Sequence, residues 1–301
     1  MSANEILFIS LSNIGDTILT TPVLESLHTL YPDSIIDIVS DNRSKIIYKH
    51  CPYRGEIIIK NKQGLFRGGF SLVNKLRQKR YEVIVDLRTD GLTVLLNGKL
   101  KLTKRSAVPY GKHAVEEHMG VIRKLSKDNE IPATRTWLMQ EHEEFARSIL
   151  GELVNQRILA IAPGCHVPIK VWDPVNYKDL CNNLATRFDA VVLLGAEADK
   201  EYTQKIVSGL TLPYKDLAGQ TDVLQAAAIL KYASLFIGND SGLGHLASTA
   251  DIPTLTLFGI GNPDRYRPWG RQARWLRGKN NLVNNIKVDD VVSFVKKEVG
   301  E

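Results

Sequence analysis

Two hydrophobic patterns alternate along the first half of the chain. Short runs rich in Ile, Val and Leu indicate buried strands, and stretches with an apolar residue every three or four positions indicate amphipathic helices. These patterns predict strands near residues 5–10, 35–39, 56–60 and 82–87, with helices near 17–30, 43–49, 70–80 and 113–126. Strands that alternate with helices predict an α/β fold built on a parallel sheet.

The second half repeats the alternation. Its predicted strands are 157–162, 190–195, 234–238 and 253–258, its helices are 174–187, 197–209, 221–232 and 242–250, and a terminal amphipathic helix follows near 288–295. A linker is predicted within 129–156, where Pro132 breaks the helical pattern and an acidic helix precedes the next strand. A length of 301 residues suits two domains. We therefore predict two Rossmann-like domains, 1–150 and 151–301, and allow the terminal helix to pack back on the first.

The remaining bulk features predict a cytoplasmic protein. No apolar run approaches the roughly 18 residues of a membrane-spanning helix, and the short N-terminal run lacks the basic leader of a signal peptide. The three cysteines, Cys51, Cys165 and Cys181, form neither a CxxC pair nor a cluster with histidine. They are predicted to be reduced, buried and structural.

The formal net charge is +6, and basic residues concentrate in the first half. One cluster contains no acidic residue and comprises Lys60, Lys62, Arg67, Lys75, Arg77, Lys79 and Arg80; a second comprises Lys99, Lys101, Lys104, Arg105 and Lys112. Each cluster is either a solvated face or the binding surface of an anionic partner, such as a phosphorylated glycolipid or a membrane surface. Nucleic acid ranks last, because no aromatic interleaving or reader motif accompanies the charge. The glycine-rich segment 60–70 is predicted to be a mobile flap over an anionic substrate.

The candidate chemistry lies in turns that join a strand to a helix. After the strand ending at Asn239, the turn and helix start comprise Asp240, Ser241, Gly242, Leu243, Gly244 and His245. Backbone N–H groups at a helix start favour phosphate, although a capped helix in an ordinary α/β unit gives the same pattern.

Two further turns occupy equivalent places. Asn13, Gly15 and Asp16 follow the first strand, and Gly164 and Lys170 follow the strand near 157–162. Trp172 is predicted to pack the Lys170 loop in place, and Lys170 is either a cation for a leaving phosphate or a solvated surface lysine. Because ligands gather at the carboxyl ends of parallel strands, we predict a site in a cleft between the two halves.

Common nucleotide fingerprints do not match. The chain contains neither G-x-G-x-x-G near its candidate turns nor G-x-x-x-x-G-K-[ST]. These absences argue against a dinucleotide-dependent oxidoreductase and a P-loop NTPase.

One family has an ordered set of motifs similar to those of this chain. The set comprises Gly15-Asp16 with Thr20-Thr21-Pro22, Pro163-Gly164 with Lys170 and Trp172, Asn239 through Leu246, and Phe258-Gly259 with Asn262-Pro263. It resembles glycosyltransferase family 9, which contains the ADP-heptose:lipopolysaccharide heptosyltransferases. The resemblance implies a GT-B fold and an inverting, metal-independent transfer without a cofactor. The donor would bind the C-terminal domain and the acceptor the N-terminal domain.

The resemblance also implies roles for individual residues. Asp16 matches the general base, with an N-cap of a helix starting at Thr17 as the alternative. Lys170 matches the lysine that contacts donor phosphate and sugar, and Asp240 a carboxylate that binds sugar hydroxyls. Ser241, Gly242, Leu243 and Gly244 match the turn whose backbone N–H groups bind the diphosphate in the family. His245 matches a histidine on the phosphate side, with a purely structural histidine as the alternative.

The remaining predicted contacts complete the two substrate sites. On the donor side, Gly164 belongs to the predicted site, and Asp199 is preferred over Glu197 and Glu201 as the residue that binds the ribose. Gln220 lies in a loop whose backbone groups are predicted to contact the nucleobase. Thr221 in the same loop is predicted to cap the following helix. An acidic helix start is the alternative role for Asp199. The predicted acceptor contacts are Asn13, Gly15, Lys60, Lys62, Arg67 and Lys112.

The sequence departs from the family pattern at two places. Asp173 separates Trp172 from Pro174, and Gly259-Ile260-Gly261-Asn262-Pro263 replaces the usual Gly-Pro-Thr-Asp-Pro. We predict a heptosyltransferase acting on an anionic lipopolysaccharide core at the inner face of the membrane. The alternatives are a related transferase with another nucleotide sugar or acceptor, and a non-catalytic nucleotide-sugar-binding protein.

Overall fold

The computed structural model describes residues 5–60, 70–126 and 130–298. The chain divides into two compact units, Met1–Trp137 and Leu138–Glu301. The strands are β1 Glu5–Ile9, β2 Ile35–Ser40, β3 Arg54–Ile59, β4 Tyr81–Asp86, β5 Gly98–Thr103, β6 Ile158–Ala162, β7 Ala190–Leu193, β8 Tyr214–Asp216, β9 Ala233–Asn239, β10 Thr254–Phe258 and β11 Ala273–Arg277. The α-helices are α1 Ile14–Ile18, α2 Thr21–Leu30, α3 Phe70–Arg77, α4 Ala114–Ile122, α5 Gln140–Leu150, α6 Pro174–Asn183, α7 Lys200–Val207, α8 Val223–Leu230, α9 Gly242–Ser248, α10 Pro263–Tyr266 and α11 Val288–Glu298.

The first unit is built on a five-stranded sheet of order β3-β2-β1-β4-β5. All its strand pairs are parallel. Ile6, Leu7, Phe8 and Ile9 of the central strand β1 have no exposed surface, because both faces of a parallel sheet are covered. The strand order reverses between β1 and β4, which makes this pair the topological switch point of the unit.

The second unit has a six-stranded parallel sheet of order β11-β10-β9-β6-β7-β8. Counted from β6, this is the strand order of a dinucleotide-binding Rossmann sheet, and its switch point lies between β6 and β9. The prediction of two Rossmann-like α/β domains with parallel sheets is therefore confirmed.

Three strands, β5, β8 and β11, were not predicted from the sequence. β5 and β11 carry Lys or Arg at exposed positions, and β8 has only three residues. All three lie at or next to a sheet edge, where less of the strand is buried and the continuous apolar run of a central strand is missing.

Two helix predictions also need correction. The helix predicted over 17–30 is two helices, α1 and α2, and Pro22 lies in the first turn of α2, where its missing N–H costs nothing. The helix predicted over 43–49 is a 3₁₀ helix, Lys45–Tyr48.

The two units are divided earlier in the chain than the predicted boundary at 150/151. The acidic helix α5 packs on α8, and both belong to the second unit. The terminal helix α11 packs on α6 of the same unit. No helix among the described residues is both long and apolar enough to cross a membrane. Nearly all of the predicted flap, 61–69, lies outside the described residues.

Candidate active site

Three of the predicted site residues lie at the switch points of the two sheets. Asp16 follows β1 in the first unit, whereas Lys170 follows β6 and Asp240 follows β9 in the second. These are the ends of the strands where open α/β sheets bind ligands. Each switch point is described below from its own contacts.

Asp16 is half-buried in the first turn of α1. Asn13, not Asp16, is the N-cap residue of this helix, so the capping alternative for Asp16 is wrong. The Asn13 side chain makes no capping bond and instead donates from Nδ2 to Asp16 Oδ2 over 3.0 Å. Gly15, also half-buried, accepts the Leu19 N–H at its carbonyl. The carboxylate of Asp16 is thus oriented by a neutral amide.

A group of buried hydroxyls holds the turn that precedes Asp16. The Tyr48 hydroxyl lies 2.5 Å from Ser10 Oγ and 2.8 Å from Thr20 Oγ1. All three residues are fully buried, and burial raises the pKa of Tyr48, which keeps its hydroxyl protonated. Sequence reasoning missed this group, because the partners of Tyr48 are distant in the sequence.

The loop after β4 contacts the same turn. The buried Asp86 carboxylate accepts the backbone N–H groups of Arg88, at 2.9 Å, and Thr89, at 2.7 Å. Arg88 donates from Nε to the Ser10 carbonyl at 3.1 Å and from Nη2 to Ser12 Oγ at 2.7 Å. Arg88 was also absent from the predicted site.

A lysine–carboxylate pair occupies the switch point of the second unit. Lys170 Nζ lies 2.6 Å from Asp240 Oδ2, with both side chains largely shielded from solvent. The loop after β10 approaches the same carboxylate, since a Cβ at Gly261 would come within 2.5 Å of Asp240 Oδ2. Cys165 Sγ contacts the Asp240 carbonyl at 3.4 Å. Burial raises the pKa of Cys165, so this thiol stays protonated at neutral pH.

A buried amide joins the strands and loops around this pair. Asn239 Oδ1 accepts from the Trp172 N–H and the Tyr177 hydroxyl, both at 3.0 Å, and its Nδ2 donates to the Pro163 carbonyl at 2.6 Å. The Trp172 indole is fully buried and donates to the Ile286 carbonyl at 3.0 Å. The predicted packing role of Trp172 is therefore confirmed.

The predicted nucleoside contacts are held by backbone interactions. Asp199 Oδ2 accepts the Ala196 N–H at 2.8 Å, and a Cβ at Gly164 would lie 2.0 Å from Asp199 Cγ, so a larger residue at this position would displace the Asp199 carboxylate. Gln220 is exposed, and its side-chain amide donates to the Asp216 carbonyl at 2.7 Å. The predicted cap at Thr221 is wrong, because Asp222 caps α8.

The Ser241 turn contains a buried polar atom. Ser241 is the N-cap residue of α9 but makes no side-chain capping bond, and its Oγ is buried with no hydrogen-bond partner within the described part of the chain. Gly242 and Leu243 are half-buried, and Gly244 and His245 are buried. An unsatisfied buried hydroxyl is costly, so the turn is suited to receive a polar group of a ligand.

Several basic side chains of the first unit are already paired. The pairs are Lys60–Asp90, Lys75–Glu56, Lys79–Asp37 and Lys99–Glu82. Their acidic partners lie outside the basic segments, so these pairs could not be predicted from the charge pattern. Lys112 is exposed. Lys62 and Arg67 lie outside the described residues.

The cysteine predictions hold with one correction. Cys51, Cys165 and Cys181 are all free thiols, and Cys51 and Cys181 are buried. Cys165 is only half-buried, because it lies in the loop that contacts Asp240.

Comparison with known proteins identifies the class of protein. The model of glycosyltransferase family 9 (heptosyltransferase) matches residues 96–293. The chain belongs to this family and is a glycosyltransferase.

Relatives are similar over nearly the whole chain. Lipopolysaccharide heptosyltransferase 3 of Escherichia coli is 28% identical, with 94% of this chain and 96% of the relative covered. A family 9 glycosyl transferase from Veillonella parvula DSM 2008 superposes with a TM-score of 0.87 at 20% identity, covering 99% of this chain and 98% of the other. E. coli heptosyltransferase WaaC with ADP gives 0.78 at 18% identity, covering 98% and 99%. These structures confirm the GT-B fold class.

Proposed function

We propose that this enzyme transfers heptose from ADP-heptose to an anionic lipopolysaccharide core acceptor, with inversion at the anomeric carbon and without a metal ion or cofactor. The observation that carries the proposal is the Lys170–Asp240 pair beside the Ser241 turn. Family membership, the similarity to a lipopolysaccharide heptosyltransferase and the likeness to a structure with ADP support it.

In this proposal the second unit binds the donor. Lys170 and the turn of Ser241, Gly242, Leu243 and Gly244 hold the diphosphate, with His245 on the phosphate side and the Ser241 hydroxyl gaining the partner it lacks. Asp240 accepts from sugar hydroxyls, and Asp199, beside Gly164, from the ribose. Gln220 contributes backbone groups to the nucleobase of the donor, since its side-chain amide is bonded to the Asp216 carbonyl. Preorganised charges and donors of this kind stabilise the leaving diphosphate.

The first unit supplies the base. Asp16 takes the proton of the acceptor hydroxyl while that oxygen attacks the anomeric carbon and the bond from this carbon to the diphosphate oxygen breaks. ADP leaves with the bonding electron pair. Asn13 and Gly15 orient the Asp16 carboxylate and the acceptor, and Lys60, Lys62, Arg67 and Lys112 bind acceptor anions.

We further propose that the enzyme works in the cytoplasm, attached peripherally to the inner face of the membrane. Apolar side chains on the first unit are unusually exposed: Phe70 at 64% and Val94 at 77%. They lie in or near basic segments, a combination that favours an anionic lipid surface. Co-sedimentation with phosphatidylglycerol vesicles tests this attachment, and no salt-sensitive binding would contradict it.

The direct test is transfer itself. The purified protein is incubated in EDTA with ADP-heptose and a lipopolysaccharide core that lacks only the heptose to be added, and both ADP release and the anomeric configuration of the product are measured. The proposal expects stoichiometric ADP release and inversion. UDP-, GDP- and dTDP-sugars in parallel reactions address the departure around Gly261, which lies against Asp240. Turnover with one of these and not with ADP-heptose would replace the donor assignment.

A further inference from the structure

We propose that Arg88 is a positioning residue for Asp16, an inference that rests on the proposed role of Asp16 as the base. Arg88 lies on the loop after β4, across the switch point from the turn after β1. Its guanidinium donates to that turn twice, to the Ser10 carbonyl at 3.1 Å and to Ser12 Oγ at 2.7 Å. Both acceptors shortly precede α1, the helix that carries Asp16.

The backbone around Arg88 is held in an uncommon conformation. Thr89 has a φ of +55°, in the left-handed region that a β-branched residue rarely adopts. The Asp86 carboxylate holds this turn by accepting from the N–H groups of Arg88 and Thr89 and from the Thr93 hydroxyl. Residues kept in sparsely populated conformations cluster at functional sites, and here the turn directs Arg88 to the β1 loop.

The contacts of Arg88 identify what it does. Its bonds come from two nitrogens of one planar group and end on two residues of one turn, a geometry that lysine cannot reproduce. No carboxylate of the described residues forms an ion pair with Arg88. Its contribution is therefore to fix the turn, not to neutralise an acid.

Neighbouring contacts complete the support of the turn. Leu11, between the two acceptors of Arg88, has its carbonyl bonded by Thr17 Oγ1 and Ser44 Oγ, both at 3.3 Å. Arg88 reaches the turn from β4, and Ser44 reaches it from the segment after β2. Loss of Arg88 therefore leaves the turn attached but free to shift on the β4 side.

The test compares two arginine–carbonyl pairs in one unit. Arg88→Ala is measured beside Arg54→Ala, since the Arg54 guanidinium also donates twice, to the carbonyls of Lys49 at 3.0 Å and Gly55 at 2.9 Å, but at the amino end of β3 and away from the β1 loop. A displacement of about 1 Å at a reacting group lowers rates by up to about a hundredfold. We expect Arg88→Ala to lower kcat ten- to a hundredfold with KM for the acceptor and affinity for ADP unchanged, Arg88→Lys to recover little, and added guanidinium to recover part. Arg54→Ala should retain wild-type kcat.

Two results would overturn the inference. Equal kcat in Arg88→Ala and Arg54→Ala would remove any positioning role. A raised acceptor KM at unchanged kcat would make Arg88 a substrate contact.

A second readout does not depend on activity. Hydrogen exchange of a peptide covering residues 10–18 should accelerate in Arg88→Ala and not in Arg54→Ala. If the wild type transfers no sugar, the proposed function fails, and this exchange result still decides whether Arg88 holds the turn. Unchanged exchange would contradict the inference.

Discussion

The two switch points share a topology but differ in how their charges are arranged. In the second unit, the cation Lys170 is bonded to the carboxylate of Asp240. In the first unit, the cation Arg88 is bonded to a carbonyl and a hydroxyl, and the carboxylate of Asp16 is bonded to the Asn13 amide. The same strand order thus supports two different electrostatic designs.

The two arrangements of charge are suited to different chemical roles. A paired lysine can exchange its carboxylate partner for a diphosphate, while the released carboxylate turns to sugar hydroxyls. A carboxylate oriented only by a neutral amide keeps its charge available to accept a proton. In the proposed mechanism the second unit therefore binds the leaving group and the first unit transfers the proton.

Removing the base is the change with the largest expected effect. Asp16→Asn preserves the shape and the bond to Asn13 but cannot accept a proton, so kcat should fall by about 10²- to 10⁴-fold, the usual contribution of general base catalysis. Transfer is followed by ADP release. Asp33→Asn, which changes an exposed carboxylate of the same unit, serves as the control and should retain full activity.

Breaking the pair in the second unit comes next. Lys170→Ala removes a charge-assisted contact of about 1.5–3 kcal/mol, so ADP should bind about ten- to a hundredfold more weakly. In a double-mutant cycle, Lys170→Ala should change the free energy of unfolding less in the Asp240→Asn background than in the wild type, because the two side chains form an ion pair. Lys205→Ala, which breaks the exposed pair with Glu201 at 2.6 Å, is the matched control. Additive effects of the two site variants would contradict the coupling.

A smaller effect is expected beneath the first switch point. Tyr48→Phe deletes the hydroxyl shared by Ser10 and Thr20 and should lower the unfolding free energy by about 0.5–1.5 kcal/mol per net hydrogen bond lost. Chemical denaturation measures this change. Tyr177→Phe, the corresponding change beside Asn239, should also lower stability, and a Tyr48→Phe protein as stable as wild type would show that the hydroxyl network is dispensable.

The smallest effect is expected at the opposite end of the second sheet. Arg157 precedes β6 and Asp189 precedes β7, and their bidentate pair lowers the pKa of Asp189 from 3.8 to about 2. Because the folded-state pKa is depressed, this stabilisation is complete above the unfolded-state pKa and is lost as pH falls from about 4 towards 2. Asp189→Asn should reduce the dependence of the melting temperature on pH between about 2 and 4. It should leave sugar transfer unchanged. Altered transfer would show that the amino end of the sheet also matters for the site.

The central strands and the edge strand β3 were predictable from the sequence, whereas the other three edge strands were not. β1 and β6 are almost continuous apolar runs, and nearly every residue of β1, β6, β9 and β10 is buried because both faces of a parallel sheet are covered. The edge strands β5, β8 and β11 lack this pattern. The break between α1 and α2 was also missed, although Pro22 marks the start of the second helix.

The candidate site divides in the same way. Asp16, Lys170 and Asp240 were predictable because each follows a recognisable strand. The bonds of Arg88 to the β1 loop, of Tyr48 to Ser10 and Thr20, and of Lys60 to Asp90 join segments that are distant in sequence. Only the register and order of the strands bring such partners together, and no local pattern records them.

Calorimetric titration with ADP in EDTA tests the central division of roles most directly. Wild type, Asp16→Ala and Lys170→Ala are titrated under identical conditions. The account predicts that Asp16→Ala binds ADP as tightly as wild type and that Lys170→Ala binds at least about tenfold more weakly. Equal loss of ADP affinity in both variants, or none in Lys170→Ala, would contradict the assignment of the leaving group to the second unit and the base to the first.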